Sequence, residues 1–294
     1  MREEVRQIQE LIEQQAYVTD AAVATSLYLA MALGKPLLIE GPAGVGKTEI
    51  AKALAGALAT RLIRLQCYEG LDATTALYEW NYPKQLLHIR LQEATQGSAA
   101  EKEASIFSEP YLLKRPLLKA ITDPERSPVL LIDEVDRSDE EFEAFLLEVL
   151  SDFQVTIPEI GSIAATHRPH VVLTSNRSRE LSDALRRRCL YLWIEYPSFE
   201  KELQIVRRKV PDIGEALSSE LTHVIQAARS LSLSKVPGVA ETLDWAASLV
   251  ALNATHLDAA VVTETMGCFL KDEEDLRKFE REAGSRLDEI LSHR

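Results

Sequence analysis

Eight residues, Gly41-Pro42-Ala43-Gly44-Val45-Gly46-Lys47-Thr48, constrain this chain more tightly than any other stretch of it. Their spacing is G-x-x-x-x-G-K-[ST], the pattern of a loop that wraps phosphate. Ahead of them runs Pro36-Leu37-Leu38-Ile39-Glu40, short and apolar enough for a buried strand. Behind them, Glu49 to Leu58 is rich in Ala and Leu and reads as a helix. The glycines let successive backbone N–H groups curl around an anion, and the helix N-terminus adds a favourable dipole. Lys47 would then reach the outer phosphates, and the Thr48 hydroxyl would hold Mg²⁺. The alternative is a glycine turn before an ordinary helix with a surface lysine. The strand and helix on either side weigh against it.

A chain of 294 residues holds one large domain or two moderate ones, with ample core. Its 46% hydrophobic and 27% charged content is that of a soluble globular protein. The net charge of -13 argues against broad nucleic-acid binding, which needs a basic surface, but leaves room for a local basic groove. Cys67, Cys189 and Cys268 are odd in number and far apart, which fits buried thiols in a reducing cytoplasm rather than a disulfide framework or metal cluster. The polar, charged stretch from Met1 to Gln15 does not read as a signal peptide, and no apolar run reaches the length of a membrane span. The expectation is a soluble, cytoplasmic protein.

Strand and helix signals alternate over the first two thirds of the chain. Residues 3 to 15 carry Val5, Ile8, Leu11 and Ile12 at helical spacing, and a second helix runs from about Ala21 to Leu33 before Gly34. Arg61 to Cys67, Pro128 to Glu134, Val171 to Thr174 and Leu190 to Ile194 read as further strands. Asp139 to Leu150 is an amphipathic helix, and Leu185 to Arg188 closes a short one. Between Tyr68 and Lys119 the pattern weakens, with a polar loop over 96–105 and a helix over Leu112–Ile121. Beyond Phe199 everything is helical, including a charged final stretch with Leu276, Phe279, Leu287, Ile290 and Leu291 on one face. The expected fold is therefore α/β, a five-stranded parallel sheet between helices over 1–198, followed by a smaller all-helical domain over 199–294.

Four apolar residues ending in Asp133-Glu134 supply the second half of a nucleotide site. At the carboxyl end of a buried strand, Asp133 is suited to support the Mg²⁺ held by Thr48, and Glu134 to polarise a water for attack on the γ-phosphate. The fourth strand ends in Thr174-Ser175-Asn176, where the Asn176 amide would touch both that phosphate and that water, or would simply close the strand as a turn residue.

With these residues in hand, the chain resembles the AAA+ ATPases through the loop Gly41–Thr48, the acidic pair, Asn176 at the sensor 1 position and Ala184-Leu185-Arg186-Arg187-Arg188. The resemblance implies that Arg188, with Arg187 and Arg186 as fallbacks, reaches a neighbouring subunit's nucleotide as an arginine finger. A basic helix end complementing its own dipole is the competing account. The resemblance also implies adenine near Ala16-Tyr17-Val18, with Glu49 among the nucleotide-binding residues. It narrows to the MoxR branch, and within it to proteins associated with carbon monoxide dehydrogenase maturation. The residues that suggest this are Leu65 to Asp72, Leu77 to Tyr82 and Val236 to Ala246. In that frame the 67–120 region contains an insertion facing a ring's pore, where Trp80 and Tyr82 either grip a polypeptide or pack the insertion on its own core. The 153–170 excursion corresponds to a hairpin before sensor 1. One departure stands out: the usual sensor 2 arginine is missing from Lys235-Val236-Pro237-Gly238, leaving Lys235 as a point charge without a fork.

The implied protein is an ATP- and Mg²⁺-dependent hydrolase. It forms a homo-oligomer, a hexameric ring by resemblance, and remodels a metalloenzyme client together with a von Willebrand A-domain partner. Two rivals stay open at this level. One is a nucleic-acid-stimulated motor using Lys84, Arg90, Lys114, Arg115 and Lys119; the other is a nucleotide-dependent switch with little turnover.

Overall fold

The computed structural model describes residues 3–92 and 106–282. The expected loop over 96–105 and the tail positions Leu287, Ile290 and Leu291 lie outside that range. At the centre is a five-stranded parallel sheet in the order β2-β5-β8-β1-β9. Its strands are β1 (Leu37–Glu40), β2 (Leu62–Gln66), β5 (Val129–Asp133), β8 (His170–Ser175) and β9 (Leu190–Trp193). All four residues of β1 and all five of β5 are buried, as are the last five of β8. Strands covered on both faces need no polar alternation, which is why they read as unbroken apolar runs. The parallel pairings put Ile132 opposite Leu173, Gln66 opposite Asp133 and Glu40 opposite Ser175. The carboxyl ends of these strands therefore share one edge of the sheet.

Two compact units emerge. The first gathers residues up to Ile8, Ala21–Glu40 and Ala51–Leu192; the second takes Gln9–Asp20, Gly41–Ile50 and the chain from Trp193 onward. Most of the sheet lies in the first. Its core runs through Leu38, Leu65, Leu118, Ile132, Leu146 and Leu173. The insertion differs from its sequence reading. Leu112–Lys114 is a strand (β4) rather than the start of a helix, pairing antiparallel with β3 (Tyr78–Trp80). Its helix begins only at Pro116 and runs to Ile121. Proline suits that first helical position, where a missing N–H costs nothing. One helix, Tyr82–Gln92, carries Leu86, Leu87, Ile89 and Leu91. The hairpin before β8 is present as β6 (Gln154–Ile157) paired with β7 (Gly161–Ala164).

The second unit contains helices Phe199–Lys209, Glu215–Ser230, Val239–Ala251, Ala259–Thr265 and Glu273–Glu282. They pack around Trp245, Phe269 and Phe279, and the Trp245 indole N–H donates to Thr265 Oγ1 at 2.8 Å. Glu202 is fully buried here, held by a fork of two bonds from Arg229 at 2.6 and 2.7 Å and by the Thr242 hydroxyl at 2.8 Å. A buried charge so enclosed is costly to break from one side only. Among the described residues, no helix is long and apolar enough to cross a membrane, and no group of three or more potential metal-binding side chains occurs.

Candidate nucleotide site

The glycine loop leaves β1 after Glu40 and enters the helix Lys47–Ala57. A Cβ on Gly41 would lie 2.1 Å from the Ile194 carbonyl oxygen, so no larger residue fits there. Gly44 and Gly46 take φ of 75° and 93°, values at which side chains are strained. Lys47 is buried and its ammonium donates to the carbonyls of Gly41 at 2.7 Å and Pro42 at 2.6 Å. The lysine is thus folded back across the mouth of its own loop.

The helix starting at Val239 meets this loop backbone to backbone. Val239 N–H donates to the Gly44 carbonyl at 2.8 Å, and Glu241 accepts the Gly238 N–H at 2.9 Å. A Cβ on Gly238 would lie 2.7 Å from Gly44 Cα. The residue of the 235–238 neighbourhood that touches the loop is therefore Gly238. Lys235 has its ammonium 3.6 Å from Asp272. Beside the loop, a cleft of about 550 Å³ is lined by Tyr17, Val18, Val45, Ile205 and Leu243, with Glu49 at its polar side. The Tyr17 hydroxyl is driven far above the ordinary phenol range by burial, reinforced by the Asp20 and Glu49 carboxylates, and so stays neutral. A largely apolar cleft next to a glycine-rich loop has the chemistry for a base and its phosphates.

The carboxylates sit at the end of β5. Asp133 is buried, and the Thr174 hydroxyl donates to its Oδ1 at 2.5 Å while accepting the Glu134 N–H at 2.9 Å. Arg64 donates to Asp133 Oδ2 from Nε at 2.9 Å and from Nη2 at 2.5 Å. Glu134 adopts a left-handed backbone with φ of 55° and ψ of 49°, a strain of roughly 1–3 kcal/mol for a non-glycine residue. Its carboxylate accepts from Gln66 Nε2 at 3.1 Å and lies 3.2 Å from Arg137 Nε. Cys67, next along, is pushed up to about 12 by burial and by the charges of Asp133, Asp136 and Glu134, so it is a neutral thiol and no nucleophile.

Asn176 is anchored through its backbone: Asp136 accepts its N–H at 3.2 Å and that of Ser178 at 2.8 Å, with the Ser178 hydroxyl at 2.6 Å. The arginines separate. Arg186 turns inward, 4.0 Å from the buried Glu40 and over the Tyr191 ring, while Arg187 is exposed. Arg188 is exposed and hydrogen-bonds Ser151 Oγ. In the insertion, Trp80 is buried edge-on against Phe107, whereas Tyr82 is 59% exposed. Of the basic stripe, Arg115 pairs with Glu79, Lys114 with Glu109, and Lys84 lies over Tyr111. Those three cations are already partnered.

Arg64, Gln66, Thr174 and Asp136 were not picked out from sequence. The polar alternation of Arg64 and Gln66 within an otherwise apolar strand was a usable signal, because residues two apart share a face. It pointed at no partner until β2 was known to pair with β5.

A family model described as the ATPase family associated with various cellular activities (AAA) matches residues 37–194, more than half of the chain. The "Holliday junction branch migration complex subunit RuvB" of Thermotoga maritima is 24% identical over 262 residues, 86% of this chain and 65% of that protein. The chain thus spans less than two thirds of that relative's length. "Chaperone protein ClpB 1" of Synechocystis is 30% identical over 139 residues, covering 47% of this chain and 13% of its own. A solved structure of a Thermotoga maritima RuvB variant superposes with a TM-score of 0.50 at 20% identity, over 97% of this chain and 77% of that one. Those likenesses are to the fold, and the family match adds the ATPase domain itself: this chain belongs to the AAA family of ATPases.

Proposed function

We propose that the chain is a Mg²⁺-dependent ATP hydrolase of the MoxR branch that works as a ring and remodels a client protein. The observation that carries the reading is the arrangement at the end of β5. A buried carboxylate, Asp133, is braced by Thr174, and Glu134 is held beside it in a strained backbone conformation. Strain of that kind is retained where a side chain must be aimed. The residues fit a cation, since Asp133 already accepts a guanidinium on Oδ2. Thr48 and Asp133 would hold Mg²⁺, which when bound neutralises charge on the phosphates. Gly41 through Thr48 would wrap the phosphates, and Tyr17, Val18 and Glu49 would border the base in the apolar cleft. Lys47 would exchange its two carbonyl partners for phosphate oxygens. Glu134 would take a proton from the attacking water, and Asn176 would orient that water.

In this reading the sheet domain extends to residue 198 and a helical lid covers 199–294. Arg188 acts on the neighbouring subunit's nucleotide, with Arg187 its alternate. Arg186 is the weaker candidate because it faces Glu40 of its own chain. The hexameric ring, the metalloenzyme client and the von Willebrand A-domain partner rest on the likeness of Leu65–Asp72, Leu77–Tyr82 and Val236–Ala246 to the MoxR branch. A nucleic-acid motor is the second reading, favoured by the extent of the RuvB match. The net charge of -13 and the partnered Lys84, Lys114 and Arg115 weigh against it.

The test is light scattering and phosphate release on Glu134→Gln, with and without Mg-ATP. ATP should bind with hydrolysis reduced by about 10²–10⁴-fold, and the particle should grow to ring size. A monomer in saturating ATP would count against the ring. Turnover that rises with DNA and collapses with salt would favour the motor.

A further inference from the structure

Backbone of its own compact unit touches the glycine loop from two sides. On one side stands Ile194, whose carbonyl leaves no room for a Cβ on Gly41. On the other stands Gly238-Val239, packed on Gly44 and donating the Val239 N–H to its carbonyl. Both contacts come from chain just ahead of a helix: 194–197 precedes Phe199–Lys209, and Pro237-Gly238 precedes Val239–Ala251. Such connecting segments need something to hold them, and here it is the helix Glu215–Ser230.

That helix offers Gln226 and Arg229. Gln226 Nε2 donates to the Pro197 carbonyl at 3.1 Å and to Glu202 Oε2 at 2.8 Å. Arg229 Nε donates to the Pro237 carbonyl at 2.8 Å, and the guanidinium lies 4.9 Å over the Tyr196 ring. Its two terminal nitrogens grip Glu202 at 2.6 and 2.7 Å. A planar guanidinium fixed by both oxygens of one carboxylate leaves its Nε–H a single direction, and the Pro237 carbonyl lies along it. Glu202 is wholly buried and the Arg229 side chain is 7% exposed. Enclosed ion pairs are poor stabilisers, since apolar residues of similar volume often serve as well or better. What this pair does that apolar residues could not do is hold the carbonyl ahead of Gly238 and order the segment after Ile194.

We propose that Glu202 and Arg229 are positioning residues for the glycine loop. Neither touches phosphate. Glu202 fixes the guanidinium, Arg229 fixes Pro237 and Tyr196, and the two segments so placed keep Gly41 and Gly44 in the conformation that receives an anion. The helical part of the chain thus acts on the loop through backbone, in a neighbourhood, 235–238, that carries no arginine of its own. The inference rests on the reading of Gly41–Thr48 as the phosphate-wrapping loop.

The experiment titrates inorganic tripolyphosphate into the full chain by calorimetry, without metal, and follows thermal unfolding of each variant. The double substitution Glu202→Leu with Arg229→Met removes the pair without leaving a lone charge. It should unfold within a few degrees of wild type yet bind tripolyphosphate at least tenfold more weakly. Thr265→Val, which takes the acceptor from the buried Trp245 indole in the same helical core, is the control for general loosening. It should unfold earlier and keep its affinity within twofold. Wild-type affinity in the double variant overturns the proposal, and so does an equal loss in Thr265→Val. Should the double variant not fold, Arg229→Lys decides, because it keeps a charge for Glu202 but has no fork to hold Pro237 as well. Binding at least threefold weaker supports the proposal, and wild-type binding overturns it. Lys47→Ala separates the two ideas. If it binds as wild type, the phosphate reading of the loop fails; if it loses binding while the double variant does not, the positioning role alone falls.

Discussion

Thr174 joins the two acidic residues at the end of β5 through one oxygen: its hydroxyl donates to Asp133 Oδ1 at 2.5 Å and accepts the Glu134 backbone N–H at 2.9 Å. The parallel pairing of β5 with β8 sets this up, and it fixes both the buried carboxylate and the backbone that aims its neighbour. Thr174→Val keeps the shape and removes both bonds. A hydrogen bond to a charged group is worth about 1.5–3 kcal/mol and one from a backbone N–H about 0.5–1.5 kcal/mol, so thermal unfolding should move down by several degrees and ATP turnover should fall at least tenfold. Thr174→Ser retains the hydroxyl and should stay near wild type in both measurements.

Gly238 and Gly44 touch through their backbones, with the Val239 N–H on the Gly44 carbonyl at 2.8 Å. Gly238→Ala places a methyl 2.7 Å from Gly44 Cα and 3.0 Å from the Ala43 carbonyl oxygen, and neither atom can rotate away. Overpacking of this kind costs about 1–3 kcal/mol. Calorimetric titration should show ATP affinity reduced about tenfold or more, as the phosphate loop is pushed out of shape. Gly267→Ala, where a Cβ meets nothing within 4 Å, is the matched control and should leave affinity unchanged.

Ile205 lines the apolar cleft beside the loop. Ile205→Trp would fill the space expected for the base without touching the phosphate-wrapping residues. ATP should then bind at least tenfold more weakly, while inorganic tripolyphosphate binds as in wild type. Equal loss for both ligands would mean that the base lies elsewhere.

Cys67 and Cys189 are each pushed up to about 12, by burial in both cases, and at Cys67 by three neighbouring carboxylates as well. Both thiols are therefore neutral in the folded chain up to that range, whereas in the unfolded chain they ionise from the ordinary value of 9.0. Between those limits the folded state binds more protons, so stability is full below pH 9 and declines as pH rises toward 12. Urea midpoints measured across this window should fall, with a smaller fall in Cys67→Ala. Iodoacetamide at pH 8 should spare both residues until denaturant is added, as peptide mass spectrometry would show.

Much of this protein was legible as a string of residues. The glycine loop with its flanking strand and helix, the apolar run ending in Asp133-Glu134 and the helical pattern beyond Phe199 are local, and local patterns survive without knowledge of what packs on them. The hairpin over 153–170 was expected only through the resemblance; its residues by themselves read as a loop containing Gly and Pro. Where neighbours far apart in the chain decided the outcome, the string was silent or misleading. Leu112–Lys114 has the composition of a helix start and becomes a strand because β3 offers an unpaired edge. Trp80 became core because Phe107 and Tyr78 pack against it edge-on, a contact no spacing rule contains. Arg64, Gln66, Thr174 and Asp136 acquire their partners only through the order β2-β5-β8, which brings together side chains some forty to seventy positions apart. Local residue patterns set most of the elements, a glycine loop of phosphate-binding pattern and an acidic pair. Only the tertiary structure decided which polar groups hold those acids in place, because a buried charge takes its partner from whatever strand the sheet sets beside it.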